Sequence, residues 1–275
     1  YKTFMKSLFL VPFMLPSFIG ALAWKMLLSP HSGYINKWFM SAFNTTEPLF
    51  DIYTYHGISC VEVMYLFPFV FIQVCGALER MDPTLEESAR ISGAGLFTIT
   101  RKITIPLVLP SIMSGALLIM LYSMAHFGTV AVLGIEQGIY NIPTLIYEKI
   151  HESAGSFASI RTGTVLATVL IVSAACIIWA QQKVLSKGHY QIIGGKSFRP
   201  MELKLRGLRY PLLFFCLAYI GFTILLPTVV IFMVGGVETY GLPLTWENLS
   251  LNNYKYILFE YDVTRDAIFN SVTLG

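Results

Sequence analysis

The chain has 275 residues, of which 55% are hydrophobic and only 13% charged, and its mean hydropathy is +0.63. Soluble domains carry about 25% charged residues, so this composition excludes a disordered chain and an ordinary soluble enzyme. The net charge is only +3, and where the charges fall says more than their sum. Cys60, Cys75, Cys176 and Cys216 lie far apart inside apolar blocks. That is neither a disulfide framework nor a zinc spacing, and they read as small inert hydrophobes.

A membrane helix needs about 20 mainly apolar residues. In chain order, residues 7–24 carry no charge and the run continues past Lys25 to about Leu28. Residues 57–78 carry one charge, Glu62, and residues 103–135, 162–182 and 210–237 carry none. These predict five full spans, with the start of a sixth at Ala267, Ile268 and Phe269. The chain opens at Tyr1 and stops at Gly275, inside that new apolar run, and we read it as an internal piece of a longer protein. Pro12, Pro16, Pro68, Pro106, Pro110 and Pro227 lie inside or at the ends of spans. Each interior proline removes a backbone hydrogen bond and kinks its helix, which membrane helices tolerate when neighbours re-satisfy the backbone.

Lysine and arginine set the orientation. With the spans alternating, residues 1–6, 79–102 and 186–209 share one side and hold twelve of them, against five in 30–56, 136–161 and 238–266. The first side is therefore the cytoplasmic one. The outer segments carry the aromatic residues of an interfacial belt: Tyr34, Trp38, Tyr53, Tyr55, Tyr140, Tyr147, Tyr240 and Trp246.

The cytoplasmic segment 79–106 is the most informative. Asp82-Pro83 is a helix start, with Asp82 as N-cap and proline in the first turn; Thr84-x-x-Glu87 is an alternative capping box. Leu85, Ala89 and Ser92 fall on one face, and Glu86 and Arg90 are spaced to pair at i, i+4. Gly93 and Gly95 end this helix, and a second helical stretch, 96–104, leads through Pro106 into the next span. A helix, a glycine turn and a second helix exceed what a bare connection needs. The small residues Ser88, Ala89 and Gly93 admit a close partner, as a protein-docking element requires.

This segment resembles the signature "EAA" loop of binding-protein-dependent ABC importer permeases. That pattern is Glu-Ala-Ala, three residues, Gly, nine residues, then Ile-x-Leu-Pro. Here the chain reads Glu87-Ser88-Ala89, three residues, Gly93, nine residues (94–102), then Ile103-Thr104-Ile105-Pro106. All spacings match, and Ser88 and Ile105 are the two mild departures. The resemblance implies that the loop docks on a cytoplasmic ATPase, with Glu87, Ser88, Ala89, Gly93, Ile103 and Pro106 as the coupling residues. Glu87 would offer its carboxylate to a basic group, Gly93 would make the turn and Pro106 would start the next span.

Other stretches resemble ferric-iron-type permeases made of two fused halves. They are Pro12 to Asn36 with Leu22-Ala23-Trp24 and Pro30-x-x-Gly33, the run His126 to Gly134, the linker Lys187 to Arg209, and Asn248 to Lys255 with Asn270-Ser271. The resemblance implies an all-α, polytopic transmembrane helical bundle of the MetI-like importer permease type. Residues 1–185 would be the C-terminal part of a first half with four spans, 186–209 the cytoplasmic joint, and 210–275 the start of a second half. It further implies an ATPase dimer and a periplasmic or lipid-anchored solute-binding protein as partners, a bacterial inner-membrane location, and ferric iron as first substrate. Thiamine, polyamine and phosphonate permeases share the architecture.

Charges inside spans are functional candidates. Glu62 and Lys25 are the clearest, though both lie near the outer boundary and can snorkel. Glu62, His126 and Asn141 are candidate translocation-path residues. His31, His56 and His151 outside and His189 inside have no metal-ligand spacing, so no metal site is expected, nor any cofactor. Gly194-Gly195-Lys196 lacks the spacing of a phosphate loop, so ATP hydrolysis is expected on another chain and no catalytic residue is assigned. A secondary transporter, the rival class, would carry ionisable residues near the membrane midplane, and no clear one is seen. An intramembrane enzyme would need a nucleophile–base or metal constellation inside the spans, and none is visible.

Overall fold

The computed structural model describes residues 2–152, 157–187, 207, 209–237 and 245–274. The helices are α1 (Lys2–Met14), α2 (Ser17–Leu28), α3 (Tyr34–Phe43), α4 (Tyr55–Arg80), α5 (Pro83–Ile91), α6 (Leu96–Ile99) and α7 (Ile105–Ala125). They continue with α8 (Gly128–Leu133), α9 (Ile142–Glu152), α10 (Phe157–Lys187), α11 (Arg209–Ile220), α12 (Leu226–Gly235), α13 (Asn252–Lys255) and α14 (Asp262–Leu274). Among the described residues the fold is all-α apart from one isolated bridge, Val237 to Leu249.

Four helical rods are long and apolar enough to cross a membrane: Tyr55–Arg80, Leu96–Ala125, Phe157–Val184 and Arg209–Gly235, of 26 to 30 residues. At about 1.5 Å per residue each reaches ~40 Å, enough to span the hydrocarbon with some tilt. The rods Leu96–Ala125 and Arg209–Gly235 each contain one π-helical turn, Thr100–Thr104 and Gly221–Leu225. In each turn an N–H reaches back five residues, Ile105 to the Thr100 carbonyl and Leu226 to that of Gly221. A proline follows at once, Pro106 and Pro227. The widened turn takes up the missing donor and the ring's bulk without breaking the rod.

The first expected span is corrected. It is two helices, α1 and α2, meeting at an 81° bend. Pro16 is extended at φ −55°, ψ 126°, and the residue before a proline avoids helical geometry, so the chain turns at Leu15-Pro16. Four unbroken spans and one broken one thus replace five unbroken ones. The third expected span, 103–135, also stops early. Its helix ends at Ala125, His126 is extended at φ −79°, ψ 121°, and α8 restarts at Gly128. Helix α14 covers the expected start of a sixth span and has no buried residue.

Helix α4 packs on α7, α7 on α10, α10 on α9, and α2 on α8 and α12. The densest core lies around α2: Ala21, Trp24 and Leu27 meet Ile52, Ile58, Val61, Tyr65, Val130, Leu133 and Val230. Gly20 admits the Tyr65 ring, which a Cβ there would overlap. An aromatic seam joins α1, α4 and α11, with Phe9 against Phe67, Phe71 and Tyr219 at 5.0–6.0 Å between ring centroids. The long helices also carry exposed apolar side chains, among them Val169, Ile171, Val172 and Trp179 on α10, as lipid or neighbouring helices require.

Each end of the bundle is tied by an ion pair. Lys6 pairs with Glu79 at one end, and the Lys25 ammonium meets both Glu136 carboxylate oxygens at 2.9 Å at the other. The outer connection after α2 is closed by Asn36, which is fully buried. Its amide donates to the carbonyls of Leu28, Ser29 and Phe50 at 3.0, 3.1 and 2.8 Å, and its oxygen accepts from Phe50 N–H at 3.2 Å. Most of the expected linker (188–206 and 208), His189 and Tyr240 lie outside the described residues.

Candidate functional site

The cytoplasmic loop is built by local signals. Asp82 is the N-cap of α5: its carboxylate accepts from Thr84 N–H at 2.9 Å, and Pro83 occupies the first turn. The Asp82 alternative is therefore the one used. At the other end Gly93 adopts φ +85°. Gly93 N–H donates to the Arg90 carbonyl at 2.9 Å and Ala94 N–H to that of Ala89 at 3.0 Å. That is the Schellman pattern, in which the left-handed residue is best glycine and the two flanking apolar residues face each other. Gly95 then caps α6, with Ile99 N–H on its carbonyl at 3.1 Å. Ala89 and Gly93 thus make the turn that reverses the chain.

Glu87 and Ser88 are exposed, Ala89 and Ile103 half-buried, and Pro106 sits in the first turn of α7. The expected Glu86–Arg90 pair is not formed. Glu86 instead accepts from the Thr104 hydroxyl at 2.8 Å, pinning α5 to the root of the next span. Sequence reasoning missed this tie, because it joins residues 18 positions apart. It also missed the apolar surface beside Glu87: Ile91 is 88% and Phe97 77% exposed, and Leu85 and Leu96 are exposed too. The loop thus presents an exposed carboxylate and exposed apolar side chains on a short helix tied to the root of the next span.

At the outer end the fold brings Glu62, His126 and Asn141 together. His126 Nδ1 lies 3.2 Å from Glu62 Oε1, and the Ser123 hydroxyl donates to Glu62 Oε2 at 2.6 Å. His126 Nε2 lies 2.5 Å from Ser17 Oγ. The His126 and Glu62 side chains are 9% and 12% exposed. Each ring nitrogen of His126 thus has one side-chain partner, Nδ1 the Glu62 carboxyl group and Nε2 the Ser17 hydroxyl. Glu62 does not snorkel; its charge is met inside the bundle, whereas Lys25 does reach the outer loop. Asn141 is the N-cap of α9. Its Oδ1 accepts from Thr144 N–H at 3.1 Å and from the Thr144 hydroxyl at 2.8 Å, and its amide donates to the His126 carbonyl at 2.5 Å. Ser17 and Ser123 were invisible as partners, since serines in apolar runs carry no signal of their own. Among the described residues no group of three histidine, cysteine or acidic side chains is placed to hold a metal.

Long apolar helices that can cross a membrane, two of them joined by a short capped helix at one end, define a polytopic helical membrane protein. The chain belongs to the family of binding-protein-dependent transport system inner membrane components, whose profile matches residues 1–184. It is accordingly a multi-pass inner-membrane protein. It is 26% identical over 250 residues to the ferric transport system permease protein FbpB of Actinobacillus pleuropneumoniae, covering 89% of this chain and 34% of that protein. It is 28% identical over 183 residues to the spermidine/putrescine transport system permease protein PotB of Escherichia coli, covering 66% of this chain and 64% of that protein. The chain thus spans about a third of the ferric permease's length. No solved structure gives a significant match.

Proposed function

We propose that the chain forms part of the solute path of an ATP-driven importer and couples that path to a cytoplasmic ATPase dimer through the 82–106 loop, with an external binding protein delivering the solute. The observation that carries this is the loop itself: the signature spacing, the Schellman turn at Gly93 and the Glu86–Thr104 tie make Glu87 the exposed tip of a rigid lever. ATP binding on the partner moves that lever, and the spans exchange between inward-open and outward-open states. The reading of 1–185 and 210–275 as parts of two fused halves joined at 186–209 rests on the ferric permease relative, matched over most of the chain. That relative also supports ferric iron as cargo. The polyamine permease relative supports a second cargo of the same charge sign. Glu62, His126 and Asn141 stand at the outer end of the path.

The test uses the full-length protein in liposomes with its ATPase and binding proteins. ATP hydrolysis stimulated by the ferric-loaded binding protein, and lost together with ATPase co-purification in Glu87→Arg, is the expected result. Stimulation by a polyamine-loaded binding protein alone discards iron and keeps the importer. If no ATPase associates with the wild type, the importer reading is refuted.

A further inference from the structure

We propose that Ser17, His126 and Glu62 form a latch at the outer end of the bundle, and that α2 and residues 126–137 move as one body when it opens. This deepens the importer reading and rests on it.

Two helix discontinuities lie side by side. Ser17 is the first residue of α2 after the 81° bend. His126 is the extended residue between α7 and α8. The 2.5 Å contact between Ser17 Oγ and His126 Nε2 ties one break to the other across 109 positions of sequence. The same two segments are tied again further out, where Lys25 of α2 meets both oxygens of Glu136 at 2.9 Å. Between these ties Ala21 and Trp24 of α2 share one core with Val130 and Leu133 of α8. A segment held at both ends and packed along its middle moves as a unit.

Glu62 joins this body to the continuous span α4, and it does so across the break. One carboxylate oxygen takes the Ser123 hydroxyl, on α7 before the break, at 2.6 Å; the other takes His126, at the break, at 3.2 Å. Rotation of the outer body about Ala125, the last residue of α7, carries His126 away from Oε1 and leaves Ser123 on Oε2. The carbonyl freed by the break is already satisfied by the Asn141 amide at 2.5 Å. The discontinuity is thus a finished joint, with its backbone polar group met as an apolar surrounding demands. Broken spans whose freed groups are held by specific side chains are where membrane bundles bend.

The experiment uses the full-length permease, assembled with its ATPase in nanodiscs, in a cysteine-free background. Spin labels are placed at Ile19 on α2 and Val63 on α4, both exposed, and separately at Ile19 and Gln137. In the wild type, trapping nucleotide with loaded binding protein is expected to lengthen the 19–63 distance and leave 19–137 unchanged. His126→Ala and Ser17→Ala are expected to move the resting 19–63 distribution toward the long value. They should also raise hydrolysis without binding protein severalfold, at unchanged ATPase co-purification. Ser17→Ala frees the His126 ring that the Ser17 hydroxyl holds in register with Glu62, and an unchanged 19–137 distance reports a folded outer body. If the wild-type 19–63 distance responds to nucleotide but both variants rest where the wild type rests, the latch is overturned and the importer stands. If 19–137 changes as much as 19–63, the single body is overturned. If no ATPase associates and nothing moves, the importer reading falls and the latch with it.

Discussion

Replacing Asn36 by leucine tests whether the outer core depends on one amide. The side chain is fully buried and makes four hydrogen bonds, three donated to the carbonyls of Leu28, Ser29 and Phe50 and one accepted from Phe50 N–H. Leucine keeps the same number and branching of side-chain heavy atoms with bulkier methyl groups, so no cavity follows and the loss is polar with some crowding added. Ser29's carbonyl keeps a second partner in Gly33 N–H at 2.9 Å, so its loss is small. Phe50 loses its partner on both its N–H and its carbonyl. The groups left without a partner are part-buried and Phe50 itself is exposed, so at about 1–3 kcal/mol per fully buried orphan, partly offset by the apolar gain of leucine, Asn36→Leu is expected to cost about 1–3 kcal/mol. Asn36→Asp should cost more, because it sets a carboxylate oxygen against three carbonyls. The assay is unfolding of the purified full-length protein in mixed micelles by added dodecyl sulfate, read by the fluorescence of Trp24, which lies in the same core. A leucine variant within about 0.5 kcal/mol of wild type, the range of a neutral surface change, refutes the assignment.

Gly93→Val forces a β-branched residue to φ +85° and should cost about 1–2 kcal/mol locally; coupled ATP hydrolysis should fall while the spans stay folded, and unchanged coupling would remove the turn from the lever. Gly20→Ala puts a methyl into the Tyr65 ring, an overpacking worth about 1–3 kcal/mol; the double change with Tyr65→Phe should recover little, since ring carbons as well as the hydroxyl are in the way, and full recovery would refute the geometry. Gln181→Leu removes the amide that links α10 to Ser114 Oγ on α7 at 3.1 Å; inter-helix bonds of this kind contribute ~0.6–1.7 kcal/mol, and a larger loss in the same micelle assay would mean the amide does more than bridge.

Much of the 82–106 loop was legible because its signals are local. Asp82-Pro83 starts a helix and Gly93 ends one through capping and a left-handed φ, and both need only the neighbouring residues. The runs that became α4, α7, α10 and the rod 209–235 were legible for the same reason, since hydrocarbon length and charge exclusion act on each segment alone. These are what the amino-acid order determined by itself.

The prolines show where it stopped. Pro12, Pro68 and Pro110 lie inside continuous helices, Pro106 and Pro227 follow π turns, and only Pro16 sits at a bend. One residue type thus has three outcomes. Each depends on which groups arrive from elsewhere: the Ser17 hydroxyl meets the His126 ring from 109 positions away, and the Asn141 amide meets the backbone carbonyl at the other break. Glu62 and His126 were both visible as odd polar residues in apolar runs, but their pairing was not. In an apolar surrounding a charge or a broken helix persists only with a partner, and which partner reaches it is set by how the spans pack, which only the tertiary structure decided.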